Sequence, residues 1–259
     1  MFRTHRTIAA IAVALLLALT AAACSSGSST SDSASPSETT GADQTEARLR
    51  VAHIFSSDAA PKPTVDIYAS TGTIDPSSDQ PAVKNLEYGT ITDYLTVPAD
   101  TYNIGVYVAG GDTEVKTLKG VDLKDGSQTT AIAERASTSS QDFSVKMIDE
   151  NALDIPKSGD AAVTAYHGVP LDAANGVRIG AEGAGCLADG AQLNYQQMAT
   201  IQVPAGSYKV GVFGPDDTSC SGTALIGPAS LDLDADTSYL AIAYGTSPSD
   251  LNLLPAAIG

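Results

Sequence analysis

Residues 94–107 of this 259-residue chain read YLTVPADTYNIGVY, and residues 200–213 read TIQVPAGSYKVGVF. Both stretches contain a Val-Pro-Ala turn, a tyrosine three residues later, and then an alternating apolar run. Proline has no amide hydrogen for a sheet ladder, so Pro98 and Pro204 each end a strand. The alternation that follows is typical of a second strand. The sequence therefore predicts the same strand–turn–strand unit at two places.

The tyrosine after each turn, Tyr102 or Tyr208, has two readings. Its ring can enter the core while its hydroxyl returns to the turn backbone, as in the tyrosine corner of immunoglobulin-like folds. Alternatively, the ring stands on the surface as a platform for a ligand. The first reading requires only local geometry, and it is the one that we predict.

Further matches extend the repeat in both directions and always keep the same order, which indicates an internal duplication with loop insertions. The matched segments are Val65–Ile67 with Val177–Ile179, Leu86–Tyr88 with Leu193–Tyr195, Val121–Leu123 with Leu231–Leu233, Ala131–Ala133 with Ala241–Ala243, and His53 with His167. Short alternating segments separated by Gly, Pro, Asp and Ser predict an all-β fold. We expect two tandem immunoglobulin-like antiparallel β-sandwich domains, residues 48–151 and 158–259.

The first 23 residues predict a lipoprotein signal peptide. A basic head precedes an apolar run over residues 8–19, and small residues lead to Cys24. The segment Ala-Ala-Ala-Cys resembles the lipobox of bacterial lipoproteins, although Ala21 stands where that family most often has leucine. The resemblance implies a thioether-linked diacylglycerol on Cys24, cleavage before it, and a fatty acyl group, such as palmitate, on the new amino group. An ordinary secretory signal with an incidental cysteine is the alternative.

Residues 24–47 are rich in Ser and Thr, are acidic, and contain few apolar side chains. Such a segment cannot bury enough surface to offset its chain entropy, so we expect a disordered tether. Two or more acyl chains are sufficient for stable anchoring. The expected location is the extracytoplasmic face of the cell membrane, with the lipid anchor as the contact to the bilayer.

The charge balance argues against a nucleic-acid partner. The chain has 14 Lys and Arg against 30 Asp and Glu, a formal charge of −16. Phosphate backbones are repelled by such a surface. The sequence has no phosphate-binding loop or dinucleotide fingerprint, so no cofactor is predicted.

We call residues 48–151 copy one and residues 158–259 copy two. Copy one resembles a known family. The segments that carry the resemblance are Arg50–His53, Asp58–Pro61, Val65–Tyr68, Leu86–Gly89 and Tyr94–Tyr102. Together they are similar to the domain of unknown function 4397, which occurs in exported and surface proteins, often in tandem. The resemblance implies a β-sandwich and no established chemistry. Copy two departs from the pattern, because Gly180 replaces the tyrosine at position 68 and Gln196 replaces Gly89.

Cys186 and Cys220 both lie in predicted loops of copy two. An exported protein with an even pair of cysteines favours a disulfide. Closing this loop would stabilise the fold by about 3–4 kcal/mol in the chain-entropy model. Free or metal-bound thiols are the alternative, although no further ligands of suitable spacing support a metal site.

Two histidines outside the signal occupy the same position in both copies. Each precedes an Asp-Ala-Ala segment by five residues, which pairs His53 with Asp58 and His167 with Asp172. A His–Asp pair can bind a ligand or transfer a proton. The alternative is a structural latch, in which the histidine ends the first strand and hydrogen-bonds into the next loop. No serine or cysteine nucleophile in a Gly-x-Ser-x-Gly setting accompanies either histidine.

Asp232, Asp234 and Asp236 alternate, and on one strand they would share a face. Calcium prefers carboxylate oxygens, but the alternation also suits a solvated face that discourages edge pairing. We expect the solvated face.

The sequence favours a membrane-anchored, non-catalytic binding module of the cell envelope, and the partner classes that we consider are a cell-wall polymer and a surface protein. This function rests on the fold class, because loops of sandwich domains commonly bind ligands. The alternatives are an envelope hydrolase that uses the repeated His–Asp positions and a calcium-stabilised spacer.

Overall fold

The computed structural model describes residues 45–259. The strands of the first half are β1 (Glu46–His53), β2 (Val65–Ser70), β3 (Val83–Leu86), β4 (Thr90–Ile91), β5 (Leu95–Pro98), β6 (Asp100–Val108), β7 (Glu114–Leu123), β8 (Gln128–Arg135) and β9 (Phe143–Asp149). A single 3₁₀ turn, Glu150–Ala152, follows.

The second half contains eight strands and two short 3₁₀ turns. Its strands are β10 (Asp160–His167), β11 (Arg178–Ala181), β12 (Gly185–Cys186), β13 (Met198–Pro204), β14 (Gly206–Phe213), β15 (Ile226–Leu233), β16 (Thr237–Tyr244) and β17 (Asn252–Ile258). The 3₁₀ turns are Asp172–Ala174 and Ala188–Gly190. The predicted all-β sandwich fold is confirmed.

Each half has two sheets. In the first half, one sheet has the order β4-β1-β8-β9, with β5 also paired to β1, and the other has the order β3-β2-β6-β7. In the second half the orders are β13-β10-β16-β17 and β12-β11-β14-β15. We call the sheets that contain β1 and β10 the central sheets, and the other two the outer sheets.

Each central sheet contains one parallel pairing that the sequence did not predict. β1 runs parallel to β8, and β10 runs parallel to β16, while the remaining pairings are antiparallel. The register is equivalent in the two sheets, because His53 lies opposite Ala133 and His167 lies opposite Ala243. This pairing places both histidines at the same end of the parallel ladder.

The first central and outer sheets pack face to face around an apolar core. Alternate residues of β1, Leu49 and Val51, point into it, as do Val65 and Ile67 of β2. The second half has the equivalent arrangement, in which Val163 of β10 belongs to the same cluster as Leu231 and Leu233 of β15.

A third apolar cluster joins the two central sheets, and we call it the junction core. The first half contributes Ala52, Ile54, Ile132 and Ile148, and the second half contributes Tyr166, Leu240 and Ile242. Gly168 shows how closely the halves approach, since a Cβ atom there would collide with Cδ1 of Ile54. The sheets therefore stack in four layers, and both faces of each central sheet are covered.

A buried ion pair supports the same junction. Arg50 alternates with Leu49 and Val51 on β1, so its side chain points away from the first core. Its Nη2 atom lies 2.6 Å from Oε1 of Glu150, and both side chains are at most 5% exposed. Nη1 of Arg50 donates a hydrogen bond to the carbonyl of Ala257 in the second half at 2.8 Å. A buried charge requires such partners, because an unpaired one is strongly destabilising.

The two tyrosines that follow the Val-Pro-Ala turns form the predicted corners. The hydroxyl of Tyr102 donates to the carbonyl of Pro98 at 2.9 Å, and that of Tyr208 donates to the carbonyl of Pro204 at 2.7 Å. The ring of Tyr102 packs in the first core. The structural reading of these residues is confirmed.

The junction core makes a prediction for stability. Leu240→Ala removes a fully buried side chain from it, so the free energy of unfolding should fall by about 2–5 kcal/mol. Because each central sheet depends on the other for cover, both halves should unfold in one transition. Urea unfolding followed by circular dichroism and by tyrosine fluorescence measures both quantities.

Leu225→Ala is the matched control, because Leu225 is 39% exposed, and it should change the free energy of unfolding by less than about 0.5 kcal/mol. Two separate unfolding transitions in the unsubstituted protein would contradict a shared junction core.

Candidate functional site

The two repeated histidines are fully buried at the ends of β1 and β10. Nε2 of His53 lies 2.6 Å from the carbonyl oxygen of Pro63, and Nε2 of His167 lies 2.7 Å from that of Ala174. A carbonyl only accepts hydrogen bonds, so Nε2 carries the proton in both rings. Each histidine therefore ties the end of its strand to the following loop.

The two aspartates lie elsewhere, on the surface. Asp58 is exposed and accepts a hydrogen bond from Nε2 of Gln141 at 2.5 Å. Asp172 is exposed at the start of a 3₁₀ turn, where its backbone carbonyl accepts from the amide of Asn175. No hydrogen bond joins either histidine to its aspartate. The structure therefore does not assemble the His–Asp pairs that the sequence suggested.

Burial lowers the pKa of both His53 and His167, and the hydrogen bond to a backbone carbonyl only partly opposes this effect. Both rings are neutral at pH 7 for this reason. Nδ1 of His167 accepts a hydrogen bond from the amide of Val169 at 3.4 Å. Nδ1 of His53 is buried with no hydrogen-bond partner. The two histidines therefore differ at Nδ1, which has a hydrogen-bond partner in His167 and none in His53.

An open cleft of about 410 Å³ lies beside His53, where the two halves meet. We call it the junction cleft. Its lining comes from both halves and consists of Lys62, Thr64, Glu87, Tyr88, Tyr244, Asp250 and Asn252. Two aromatic rings, charges of both signs and an amide therefore face one open space.

The aromatic rings of the junction cleft pack against each other. The centroids of Tyr88 and Tyr244 are 5.6 Å apart, with 70° between the ring planes. Tyr88 also makes an edge contact with the ring of His53 at 6.2 Å. Nζ of Lys62 lies 5.1 Å from the Tyr88 centroid and 2.7 Å from Oδ2 of Asp250.

Gly89 makes this arrangement possible. A Cβ atom at position 89 would lie 2.6 Å from the hydroxyl oxygen of Tyr244 and 2.9 Å from its Cζ atom. The backbone there also has φ +78°, which favours glycine. Any larger residue would displace Tyr244 from the cleft.

The hydroxyl of Tyr88 is buried and has no hydrogen-bond partner. Burial raises the pKa of Tyr88 well above its usual value, and the negative charge of Asp250 adds to the effect. The hydroxyl therefore keeps its proton at all physiological pH values. Native proteins leave few buried polar groups unsatisfied, so the Tyr88 hydroxyl and the His53 nitrogen mark this region as unusual.

The equivalent region of the other copy is closed. Tyr195 corresponds to Tyr88, and its hydroxyl donates to the carbonyl of Arg135 at 2.7 Å. Gln196, which stands where copy one has Gly89, donates from Nε2 to Oε1 of Glu134 at 2.9 Å. The replacement that the sequence showed at position 196 therefore fills one junction region with an amide, while the glycine leaves the other open.

Glu134 lies at the centre of the closed region and is only 1% exposed. The hydroxyl of Tyr166 donates to both of its carboxylate oxygens, at 2.7 and 2.8 Å. Burial raises the pKa of Glu134 to about 7, and the hydrogen bonds from Tyr166 and Gln196 hold it below the value that burial alone would produce.

The first half of the fold matches a known protein family. Residues 47–175 match the family model described as domain of unknown function (DUF4397). These residues form a DUF4397-like domain. The match begins in β1 and ends at Asn175, so it includes both histidines and both aspartates discussed above. The family description names no activity and assigns no role to these residues.

No curated protein matches the chain. Among solved structures, a leucine-rich repeat protein from Bacteroides thetaiotaomicron is 14% identical, with a TM-score of 0.18. The similarity covers 80% of this chain and 27% of that chain. At that TM-score it supports no conclusion about the DUF4397 domain.

The predicted disulfide is confirmed, since Cys186 and Cys220 are bonded. It also explains why copy two lacks a counterpart of Tyr68. A Cβ atom at Gly180 would lie 2.5 Å from Cβ of Cys220 and 2.8 Å from the ring of Phe213. The disulfide-bonded loop therefore occupies the place that the Tyr68 side chain fills in the first half.

Two other hollows are weaker candidates. An enclosed apolar cavity of about 40 Å³ lies inside the second half, where it is a gap in core packing. A groove of about 650 Å³ runs beside the disulfide and is lined largely by glycines and small residues. Its charged pair, Lys209 and Glu182, is more than half exposed to solvent. Unlike the junction cleft, the groove has no buried unsatisfied polar atom in its lining.

The three alternating aspartates do not all lie on one strand. β15 ends at Leu233, so Asp234 and Asp236 follow the strand and do not share a strand face with Asp232, and Oδ1 of Asp236 accepts from the amide of Gly159. Within residues 45–259, no three His, Cys, Asp or Glu side chains are grouped to hold a metal ion.

Cys24, the signal peptide and most of the predicted tether lie outside the described residues. β1 begins at Glu46, and Ala47 is already buried in the first core. No helix of residues 45–259 has the length and apolar character needed to cross a membrane.

The raised pKa of Glu134 makes a prediction for pH. Between its unfolded pKa near 4.5 and about 7, the folded state holds a proton that the unfolded chain has lost. The resulting stabilisation is complete below the unfolded pKa and is lost as the pH rises through 7. Relative to Glu134→Gln, the unsubstituted protein should lose up to about 1.4 kcal/mol of stability per pH unit between pH 5 and 7.

Urea unfolding of both proteins at pH 5, 6, 7 and 8 measures the difference in their free energies of unfolding. This difference should change steeply between pH 5 and 7 and level off towards pH 8. Glu182→Gln is the control, because the side chain of Glu182 is 68% exposed. A difference between the Glu134 variant and the unsubstituted protein that is independent of pH would contradict the prediction.

Proposed function

We propose that this protein is a non-catalytic binding module of the cell envelope, held at the extracytoplasmic face of the membrane by a lipid on Cys24. Its ligand enters the junction cleft. The cleft supports the proposal because two tyrosine rings, a Lys–Asp pair and an unsatisfied buried hydroxyl converge there. Aromatic rings can stack against a ligand while neighbouring charged and amide groups fix its orientation.

The positions of the histidines favour binding over hydrolysis. A general base must lie within hydrogen-bond reach of the group that it deprotonates. His53 and His167 are buried, and each uses Nε2 for a backbone carbonyl. The exposed aspartates orient neither ring. The repeated histidines therefore act as strand-end latches.

The partner classes that we propose are a cell-wall polymer and a surface protein. The chain carries a formal charge of −16, which disfavours nucleic acid. Hydroxyl-rich or amine-bearing polymers suit the tyrosines and mixed charges of the cleft.

Asn252→Trp tests the cleft. Asn252 is exposed on β17 and lines the cleft, so an indole there should block entry without entering a core. We expect binding to isolated cell wall or to an envelope protein fraction to fall at least tenfold. The melting temperature should stay within about 2 °C of that of the unsubstituted protein, because a single surface substitution changes stability little. Co-sedimentation and differential scanning calorimetry provide the two measurements.

Glu182→Trp is the matched control, because it adds the same ring at an exposed position of the second half. It should bind as the unsubstituted protein does. Unchanged binding by Asn252→Trp, or no binding to either fraction by the unsubstituted protein, would reject the cleft as the binding site.

Cys24 tests the anchor. Mass spectrometry of the mature N-terminal peptide should show diacylglycerol on Cys24, and Cys24→Ala should move the protein from the membrane fraction to the soluble fraction. An unmodified Cys24 in the membrane-bound protein would reject lipid anchoring through this residue.

A further inference from the structure

The junction cleft contains an ammonium group held in the manner of a bound cation. Nζ of Lys62 lies 2.7 Å from Oδ2 of Asp250 and 5.1 Å from the centroid of the Tyr88 ring. A carboxylate and the face of an aromatic ring are the two groups that proteins use to bind cationic ligands. Lys62 comes from the first half and Asp250 from the second, so the contact crosses the junction.

The backbone fixes the direction of the Lys62 side chain. Lys62 lies between two prolines, and its φ angle of +48° is uncommon for a residue with a side chain. Its amide donates to Oγ of Ser56 at 3.0 Å, which holds the turn. The strained turn aims the side chain into the cleft, while 42% of that side chain is still exposed. The ammonium group is therefore held in the cleft but remains exposed enough for a ligand to displace it.

Asp250 is held independently of Lys62. Its Oδ2 atom accepts hydrogen bonds from the hydroxyl of Thr246 at 2.9 Å and from the Thr246 amide at 3.3 Å. Burial acts to raise the pKa of Asp250, but the hydrogen bonds from Lys62 and Thr246 outweigh it and lower the pKa. The two hydrogen bonds from Thr246 therefore continue to hold the carboxylate in place when Lys62 leaves.

The charge of the cleft favours a cation. Two carboxylates, Glu87 and Asp250, face one ammonium group, so the lining has a net negative charge in a chain that is itself strongly acidic. The Tyr88 face adds the negative potential of its π-system. An incoming cation is attracted, whereas an anion is repelled.

We propose that the junction cleft binds its ligand through a primary ammonium group, and that the Lys62 side chain occupies this position until the ligand displaces it. The proposal rests on the binding function above and names the chemistry of that ligand. A primary ammonium is specified because Nζ of Lys62 lies only 2.7 Å from Oδ2 of Asp250, and the alkyl groups around a quaternary nitrogen would prevent so short an approach. The free amine of a wall peptide and that of an amino sugar share this chemistry.

Titration with butylammonium chloride, followed by NMR at constant ionic strength, tests the proposal on the whole mature protein. Lys62→Met removes the internal ammonium and keeps an apolar stem, so it should bind butylammonium at least tenfold more tightly than the unsubstituted protein does. Adding Tyr88→Leu to Lys62→Met should reverse this gain, whereas adding Tyr88→Phe should keep it, because the aromatic face is retained.

Four comparisons control for the charge, the geometry, the position and the source of the ammonium group. Butan-1-ol has the same chain without the charge and should not bind, and tetramethylammonium should bind more weakly than butylammonium. Lys209→Met removes another surface lysine that pairs with a carboxylate, Glu182, and should leave the affinity unchanged. Competition by lysine amide and by glucosamine against butylammonium then distinguishes a peptide amine from an amino sugar.

Equal affinity of Lys62→Met and the unsubstituted protein for butylammonium, or equal binding of butan-1-ol, would overturn the proposal. If butylammonium fails but Asn252→Trp still abolishes polymer binding, the ammonium site is wrong and the binding function stands. If both fail, both are rejected.

Discussion

The whole arrangement depends on the burial of both faces of the central sheets. One face of each packs on its own outer sheet, and the other packs on the central sheet of the other half. A sheet with two apolar faces cannot be exposed to water without a large loss of hydrophobic free energy. The two halves must therefore meet, and the buried charged side chains Arg50 and Glu134 find their partners near the meeting plane.

The strand pattern was readable from the sequence because its determinants are local. Pro98 and Pro204 end strands, and the tyrosines after them hydrogen-bond four residues back, so short windows were sufficient. The disulfide was also predictable, because only two cysteines follow Cys24. The stacking of the halves was not predicted, although the runs AAVTAYH and YLAIAY have apolar or small residues at nearly every position, the pattern of strands covered on both faces.

The junction cleft was missed for a different reason. Lys62 and Asp250 are far apart in the sequence, and no local pattern pairs them. The sequence shows Tyr88 repeated as Tyr195 and Gly89 replaced by Gln196. The repeat by itself indicates no role for these residues. The repeated histidines attracted attention because histidine is chemically versatile, but their ring nitrogens serve backbone carbonyls. The Nε2 contacts of the histidines are the same in both repeats, whereas the open cleft is found where the residues diverged, at Gly89 and Gln196.

Under the proposed function, the contrast between Gly89 and Gln196 would set how many ligands one molecule can hold. Two similar halves would offer two equal sites if both junction regions were alike. Here the amide of Gln196 is committed to Glu134, and Tyr195 is committed to Arg135, so that region has no free group to offer. Binding through the junction cleft would saturate at one equivalent per chain, and a multivalent polymer could gather several such proteins without any one of them cross-linking it.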